Sequence, residues 1–386
     1  MKEFFYRLYA LCFRLARLFP VRADRVSLIS PHNAAFTDSL GEIKTLLEQS
    51  GAYRINLISR RDLAFVNENT FTGMLRSVFS SLGFFTLKAY RLATSKYVFL
   101  NDNFMPMARL NFSRQAVVTQ LWHAEGAFKR FGMALDLPQE TAARLRQCNE
   151  RLTCAVCSSP GVVDVYAEAF GLPRERVLPL GSPRTDFFFR EHDLKSLREK
   201  LDDAYPACRG KALILYAPTF RDDPGQDKRL PGSFDFATFK ARYGGRYELL
   251  ARLHPQVHAS GGFPAGVTDV TSWPHVGELV LLCDLLITDY SSICMDFALL
   301  RKPCVFYAYD LEAYTARRNF YYEYKDYVPG AVAETFAQLL DALEDPSGYA
   351  EKLERFRAFN FGNPDGRAAR RVLDTVMAQG AFQPPR

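Results

Sequence analysis

The chain reads as short apolar runs separated by stretches in which apolar residues recur every three or four positions. Runs rich in Val, Ile, Leu and aromatic residues predict strands over 25–30 (RVSLIS), 54–58 (RINLI), 96–100 (KYVFL), 116–120 (AVVTQ), 153–157 (TCAVC) and 176–180 (RVLPL). A second series covers 211–216 (KALILY), 247–253, 267–270, 284–288 (DLLIT) and 303–308 (PCVFYA). Helical periodicity predicts helices over 39–49, 84–93 and 161–170, and later over 234–242, 275–282, 291–300, 331–344 and 347–358. Strands alternating with helices at this spacing predict parallel, doubly wound sheets. Two such series, joined across roughly 181–205, predict an α/β chain of two Rossmann-like domains. Ligands of such sheets bind beyond the carboxyl ends of the strands.

The opening stretch, MKEFFYRLYALCFRLARLFP, has an apolar run broken by Arg7, Arg14 and Arg17. It is neither the apolar centre of a signal peptide nor a membrane span. On a helix, Phe4, Phe5, Leu8, Leu11, Cys12, Leu15 and Leu18 gather on one side with basic residues opposite, the pattern of an interfacial amphipathic helix. A helix packed on the protein's own core is the other reading, and the sequence leaves both open. No run of about 18 uncharged apolar residues occurs, so no membrane-spanning helix is expected.

Composition changes this picture little. At 386 residues, with 48% apolar and 24% charged positions, the chain has room for two ordinary globular domains and little disorder. Aromatic residues at 14%, with 32 Phe and 19 Tyr, point to heavy aromatic burial or interfacial contact. The net charge of +6 is mild, and basic residues sit in small groups (Arg14/Arg17, Arg60/Arg61, Lys129/Arg130, Arg317/Arg318). That suits an anionic small molecule or lipid surface, not a nucleic acid. The eight cysteines, without a secretory signal, read as reduced thiols. Cys154 and Cys157 form one C-x-x-C with no second pair downstream, so zinc is not expected.

The polar clusters all follow predicted strands. His123, within QLWHAEGAFKRFG (120–132), follows 116–120, Arg221 follows 211–216, His254 follows 247–253, and Asp289, Ser291 and Ser292 follow 284–288. Ser291 or Ser292 is placed to cap a helix beginning near Ile293, whose free N–H groups and dipole would favour a phosphate. A capped helix without a ligand reads the same way. Thr219 and Arg221 in LYAPTFRDD suit a phosphate, with an ion pair to Asp222 as the plain alternative. His254 is held by Pro255, where a structural turn histidine is the plain alternative, and His258 reads as surface. Motifs for nucleotide triphosphate hydrolysis (G-x-x-x-x-G-K-S/T), NAD binding (G-x-G-x-x-G) and serine hydrolysis (G-x-S-x-G) are all absent. Asp and His residues are too scattered for a metal cluster, and no cofactor is expected.

Taken together, QLWHAEGAFKRFG, GSPRTDFFF (181–189), YAPTFRDD followed by RLHP, and LITDYSSICMDFALLRKPCVFYAYDLEAY (286–314) resemble the CDP-glycerol glycerophosphotransferase family of teichoic acid and capsule biosynthesis. The set spans about 115–330 in the family order. The version WHAEGAFKRFG is similar to the primase-like branch, where polymerases more often read WHGTPLKK. Residues 1–114 match only loosely, with SPHNAAFTDSLGEIKTLL (30–47) looking like the acceptor-side strand and helix.

The resemblance implies a GT-B architecture, two Rossmann-like domains facing a central cleft. It divides the chain into an amphipathic helix over 1–24, an acceptor domain over 25–185, a CDP-alditol-binding domain over 186–360 and a C-terminal helix or tail over 361–386. It implies peripheral attachment to the cytoplasmic face of the cell membrane, where glycerol phosphate passes from CDP-glycerol to a hydroxyl of a polyprenyl-diphosphate-linked saccharide and CMP is released. His123 is the expected base, since an imidazole near its usual pKa of ~6.5 accepts a proton at cellular pH. His254 is expected from the other domain to steady or protonate the leaving CMP phosphate. Arg221, Thr219 and the Ser291/Ser292 helix start are expected on the diphosphate, with Asp289 orienting a histidine or binding a hydroxyl. Trp122 and Phe128 are expected to anchor the turn and Gly126 to let the backbone approach substrate. Lys129 and Arg130 are expected either on acceptor phosphates or in solvent. Polymerisation of glycerol or ribitol phosphate, a sugar-nucleotide glycosyltransferase on the same scaffold and a non-catalytic binding protein are the alternatives. Oligomeric state is open, a homo-oligomer included.

Overall fold

The structure, a computed structural model, describes residues 2–63, 83–219, 233–253, 263–264, 266–317 and 319–378. The chain divides into two compact units, Met1–Asp186 with Gly362–Arg386, and Phe187–Phe361. Each is built on one six-stranded, all-parallel sheet. The first has the order β2-β1-β3-β4-β5-β6, with β1 Arg22–Ser30, β2 Arg54–Ser59, β3 Ser95–Leu100, β4 Val117–Gln120, β5 Cys154–Val156 and β6 Val177–Leu178. The second has the order β12-β11-β10-β7-β8-β9, with β7 Ala212–Ala217, β8 Tyr247–Ala251, β9 Thr268–Asp269, β10 Leu285–Thr288, β11 Cys304–Tyr307 and β12 Ala331–Ala333.

Strands covered on both faces are apolar throughout and do not alternate. The last six residues of β1 and all of β10 and β11 are buried. Every strand expected from the hydrophobic pattern is present. One expectation fails: 331–344 holds strand β12 and then a helix, Phe336–Glu344, instead of one continuous helix. The reason is local. Thr335 accepts from the Gln338 N–H while the Gln338 side chain reaches back, a capping box that starts the helix at Phe336.

The first core joins β1, β3 and β4 to Leu40, Ile43 and Leu47 of helix Asp38–Ser50 and to Ala369, Val372, Leu373 and Val376 of helix Ala368–Ala378. The last helix therefore belongs to the first unit. Asp186 fastens it there, its carboxylate accepting from the N–H groups of Ala368 at 2.9 Å and Ala369 at 2.8 Å.

Helix Lys2–Ala16 has two apolar faces. Tyr9, Ala10, Phe13 and Ala16 are buried, with Tyr9 stacked on Phe84 at 4.4 Å between ring centroids. A second stripe, Phe4, Leu11 and Leu15, continued by Leu18 and Phe19, is exposed. By helical spacing Arg7 and Arg14 flank that stripe and do not oppose it, because the opposite side is the one packed on the core. No helix among the described residues is long and apolar enough to cross a membrane.

Each sheet reverses its winding once, between β1 and β3 in the first and between β7 and β10 in the second. In doubly wound sheets the strand ends at that reversal splay apart and form the ligand crevice.

Candidate active site

Next to the reversal of the first sheet, β3 and β4 end side by side, with Leu100 paired to Gln120. Beyond them stand Asn101 and Asp102 on one strand end and Leu121, Trp122 and His123 on the other. Nδ1 of His123 lies 3.1 Å from Oδ2 of Asp102, whose side chain is mostly buried, while 45% of the His123 side chain is accessible. Nε2 of His32, from the loop after β1, lies 3.6 Å from Oδ1 of the same carboxylate. Burial pulls the His123 pKa down, but the hydrogen bond and charge of Asp102, a backbone bond to Asn101 and the charge of Asp38 outweigh it, so the net shift is upward. Burial pushes Asp102 up; the bond and charge of His123, the Asn103 N–H and the charge of His32 carry it below the usual carboxylate value.

The segment carrying His123 is pinned residue by residue. Trp122 has φ +58°, a left-handed conformation uncommon outside glycine and costly for a bulky side chain. Its ring is packed at 4.9 Å on Phe131 and 5.4 Å on Phe170, and lies 4.2 Å from the His123 ring. The Ala124 carbonyl accepts from the Tyr166 hydroxyl at 2.8 Å. Buried Glu125 accepts from Arg184 at 2.6 Å and from the Ser182 hydroxyl at 3.1 Å. Gly126, at φ +65°, donates its N–H to the Ser158 hydroxyl at 3.1 Å. The crowding of polar groups in this stretch is thereby explained: most of them fix the loop, and His123 is the one whose side chain is broadly accessible. Phe128 is buried, and Arg130 lies 3.7 Å from Glu168. Lys129 is half-buried.

In the second unit, Thr288 pairs with Ala217 at the reversal. Beyond it, buried Asp289 turns its carboxylate inward, Oδ1 accepting the N–H groups of Thr219 at 2.7 Å and Tyr290 at 2.5 Å. Its carbonyl accepts from the Tyr324 hydroxyl at 2.7 Å. The Tyr290 hydroxyl donates to Asp310 at 2.9 Å, and its ring stacks on Tyr314 at 3.7 Å. Helix Ile293–Leu299 begins where expected, but the serine cap differs. Ser292 occupies the cap position with helical backbone angles and makes no capping bond, while the Ser291 hydroxyl accepts the Ile293 N–H at a long 3.4 Å. A capping side chain needs an extended backbone at that position, which Ser292 lacks. Arg221 and His254 lie outside the described residues.

His123 stands beyond β4 as the sequence predicts, and its partner Asp102 was not among the expected site residues. Asp102 follows β3 as His123 follows β4, so its signal is a carboxylate one step past the neighbouring strand. Arg184, within GSPRTDFFF, was quoted without its role of holding Glu125.

The chain is similar to several known proteins. The family profile described as CDP-glycerol:poly(glycerophosphate) glycerophosphotransferase matches residues 11–378. A teichoic acid ribitol-phosphate primase of Bacillus spizizenii is 31% identical over 94% of this chain and 93% of its own length. A teichoic acid poly(ribitol-phosphate) polymerase of the same organism is 36% identical over 75% of this chain, which spans only 48% of that protein. A teichoic acid glycerol-phosphate primase from it is 33% identical over 74% of this chain and 75% of its own length. The solved wall teichoic acid polymerase TagF superposes with a TM-score of 0.77 at 22% identity, covering 99% of this chain and 96% of that one. A TagF variant soaked with CDPG superposes at 0.78, with 20% identity over 98% of this chain and 94% of that one. The chain belongs to the CDP-glycerol:poly(glycerophosphate) glycerophosphotransferase family, that of the teichoic acid glycerol- and ribitol-phosphate primases and polymerases.

Proposed function

We propose that the chain transfers an alditol phosphate from a CDP-alditol to a hydroxyl of a polyprenyl-diphosphate-linked saccharide, with CDP-glycerol as the donor in the first reading. The observation that carries the proposal is an accessible imidazole held by a mostly buried carboxylate at the ends of β3 and β4, next to the reversal of the first sheet. In the proposed step the acceptor oxygen attacks the phosphorus bearing the alditol, and its proton passes to His123. The bond from that phosphorus to the bridging oxygen breaks, and CMP leaves with the oxygen and the electron pair. Asp102 orients the ring and stabilises the imidazolium that forms. Thr219, Asp289, Ser291 and Ser292 are assigned to the donor, Asp289 by shaping the strand ends and the serines by contact with phosphate. Arg221 and His254 keep the donor and leaving-group roles expected of them. Gly126, Lys129 and Arg130 are assigned to the acceptor side, with Arg130 also balancing Glu168.

CDP-ribitol is the second reading, favoured by the end-to-end match to a ribitol-phosphate primase. The chain is proposed to work peripherally on the cytoplasmic face of the membrane. The exposed stripe of Phe4, Leu11, Leu15, Leu18 and Phe19, flanked by Arg7 and Arg14, supports that placement. Mass spectrometry of products formed from CDP-glycerol or CDP-ribitol and a synthetic lipid-linked disaccharide tests the reading. One added alditol phosphate with release of CMP is expected, long products assign polymerisation, and no CMP release from either donor overturns the proposal.

A further inference from the structure

We propose that Gln120 is a positioning residue for the His123–Asp102 pair, its one side-chain amide holding the backbone on both sides of that contact. The inference rests on the reading of His123 as the base.

Gln120 is the last residue of β4 and is 1% exposed, so its amide must find partners inside the protein. Oε1 accepts the N–H of Trp122 at 3.0 Å, and Nε2 donates to the carbonyl of Asp102 at 3.3 Å. One bond therefore lands on the residue just before His123 and the other on the residue that holds its imidazole. The first bond falls where help is needed, because Trp122 is in the left-handed region at φ +58°. A non-glycine residue there is strained and persists only where its surroundings over-determine it. The backbone turn at Trp122 sets the direction in which His123 leaves the strand, and the bond to Asp102 sets where its partner stands.

Few side chains can do this. Glutamate keeps the acceptor and loses the donor, methionine and leucine lose both, and asparagine is one methylene short. An amide that merely satisfies two buried backbone groups would be equally buried, and the test separates the two roles by coupling.

The full chain is assayed with CDP-glycerol and with CDP-ribitol as donors, in a cycle of Gln120→Met, Asp102→Asn and the double variant. Positioning predicts that Gln120→Met lowers kcat by ~10-fold or more with donor KM little changed, since a misplacement of about 1 Å costs up to ~10²-fold. It also predicts that the acid limb of the kcat–pH profile moves to lower pH, as contact with Asp102 loosens. In the double variant the second loss is largely absent, because the pair it acts through is already broken. Additive losses, or an unmoved pH profile, overturn the proposal. Should Gln120→Met fail to fold, Gln120→Glu, which replaces the donor to Asp102 by an acceptor and adds a carboxyl group there, is put through the same cycle, and additivity there overturns it equally. Near-normal transfer by His123→Ala would instead remove the base assignment itself, so the two failures are distinguishable.

Discussion

Asp102 and His123 face each other at 3.1 Å from the ends of adjacent parallel strands, although 21 positions separate them in the chain. The carboxylate's second oxygen is turned toward His32 at 3.6 Å. The contact keeps the imidazole in one orientation and lifts its pKa above the ordinary histidine value. Replacing Asp102 by Asn removes the charge and weakens the bond, leaving burial opposed only by the Asn101 bond and the charge of Asp38, so the pKa falls. The acid limb of the kcat–pH profile should therefore move to lower pH, while kcat falls by ~10- to ~10²-fold as the ring loses its orientation. An unchanged acid limb would remove Asp102 from the mechanism.

The same pair contributes to stability within a pH window of definite sign. The raised His123 pKa gives a contribution present below the unfolded value of 6.5 and lost as pH rises through the folded one. The lowered Asp102 pKa gives a contribution present above 3.8 and lost as pH falls through the folded one. The melting-temperature gap between wild type and Asp102→Asn should thus peak between those limits and shrink on either side, as thermal scans across pH would show. A gap that keeps growing above pH 8 contradicts this.

Buried Glu125, in the loop of His123, pairs at 2.6 Å with the partly buried Arg184. Arg184→Met leaves the buried carboxylate with the Ser182 hydroxyl but without its cation and should cost about 3 kcal/mol, measured by denaturant unfolding. The double variant with Glu125→Gln should recover part of that loss. No recovery would mean that the arginine acts by packing alone.

Leu11 and Leu15 are half-exposed on the helix whose other face is packed on the core. Leu11→Glu with Leu15→Glu should leave the fold intact and reduce co-sedimentation with phosphatidylglycerol vesicles by ~10-fold or more, the scale of two leucines kept out of an apolar phase. Undiminished binding would place the membrane surface elsewhere.

Much of the fold was legible because parallel strands buried on both faces leave nearly unbroken apolar runs, as in β7, β10 and β11. Strand β12 was not, since three residues ahead of a strong helix look like its first turn, and only the Thr335–Gln338 capping box marks the true start. His123 was legible as an imidazole one step past a strand. Asp102, Gln120 and Arg184 were not, because their roles are partnerships across neighbouring strands or across 59 positions of chain, which no local pattern encodes. Ser292 shows the converse. Its residue type suits a helix cap, and the helical backbone at that position does not let it serve as one.

The central claim is that His123 takes the acceptor's proton, and transfer by His123→Ala tests it most directly. With CDP-glycerol and CDP-ribitol as donors and a lipid-linked acceptor, CMP release should fall by ~10²-fold or more, the scale of lost general base catalysis, while the variant still melts cooperatively as a folded protein. CMP release near the wild-type rate from the folded variant would contradict it.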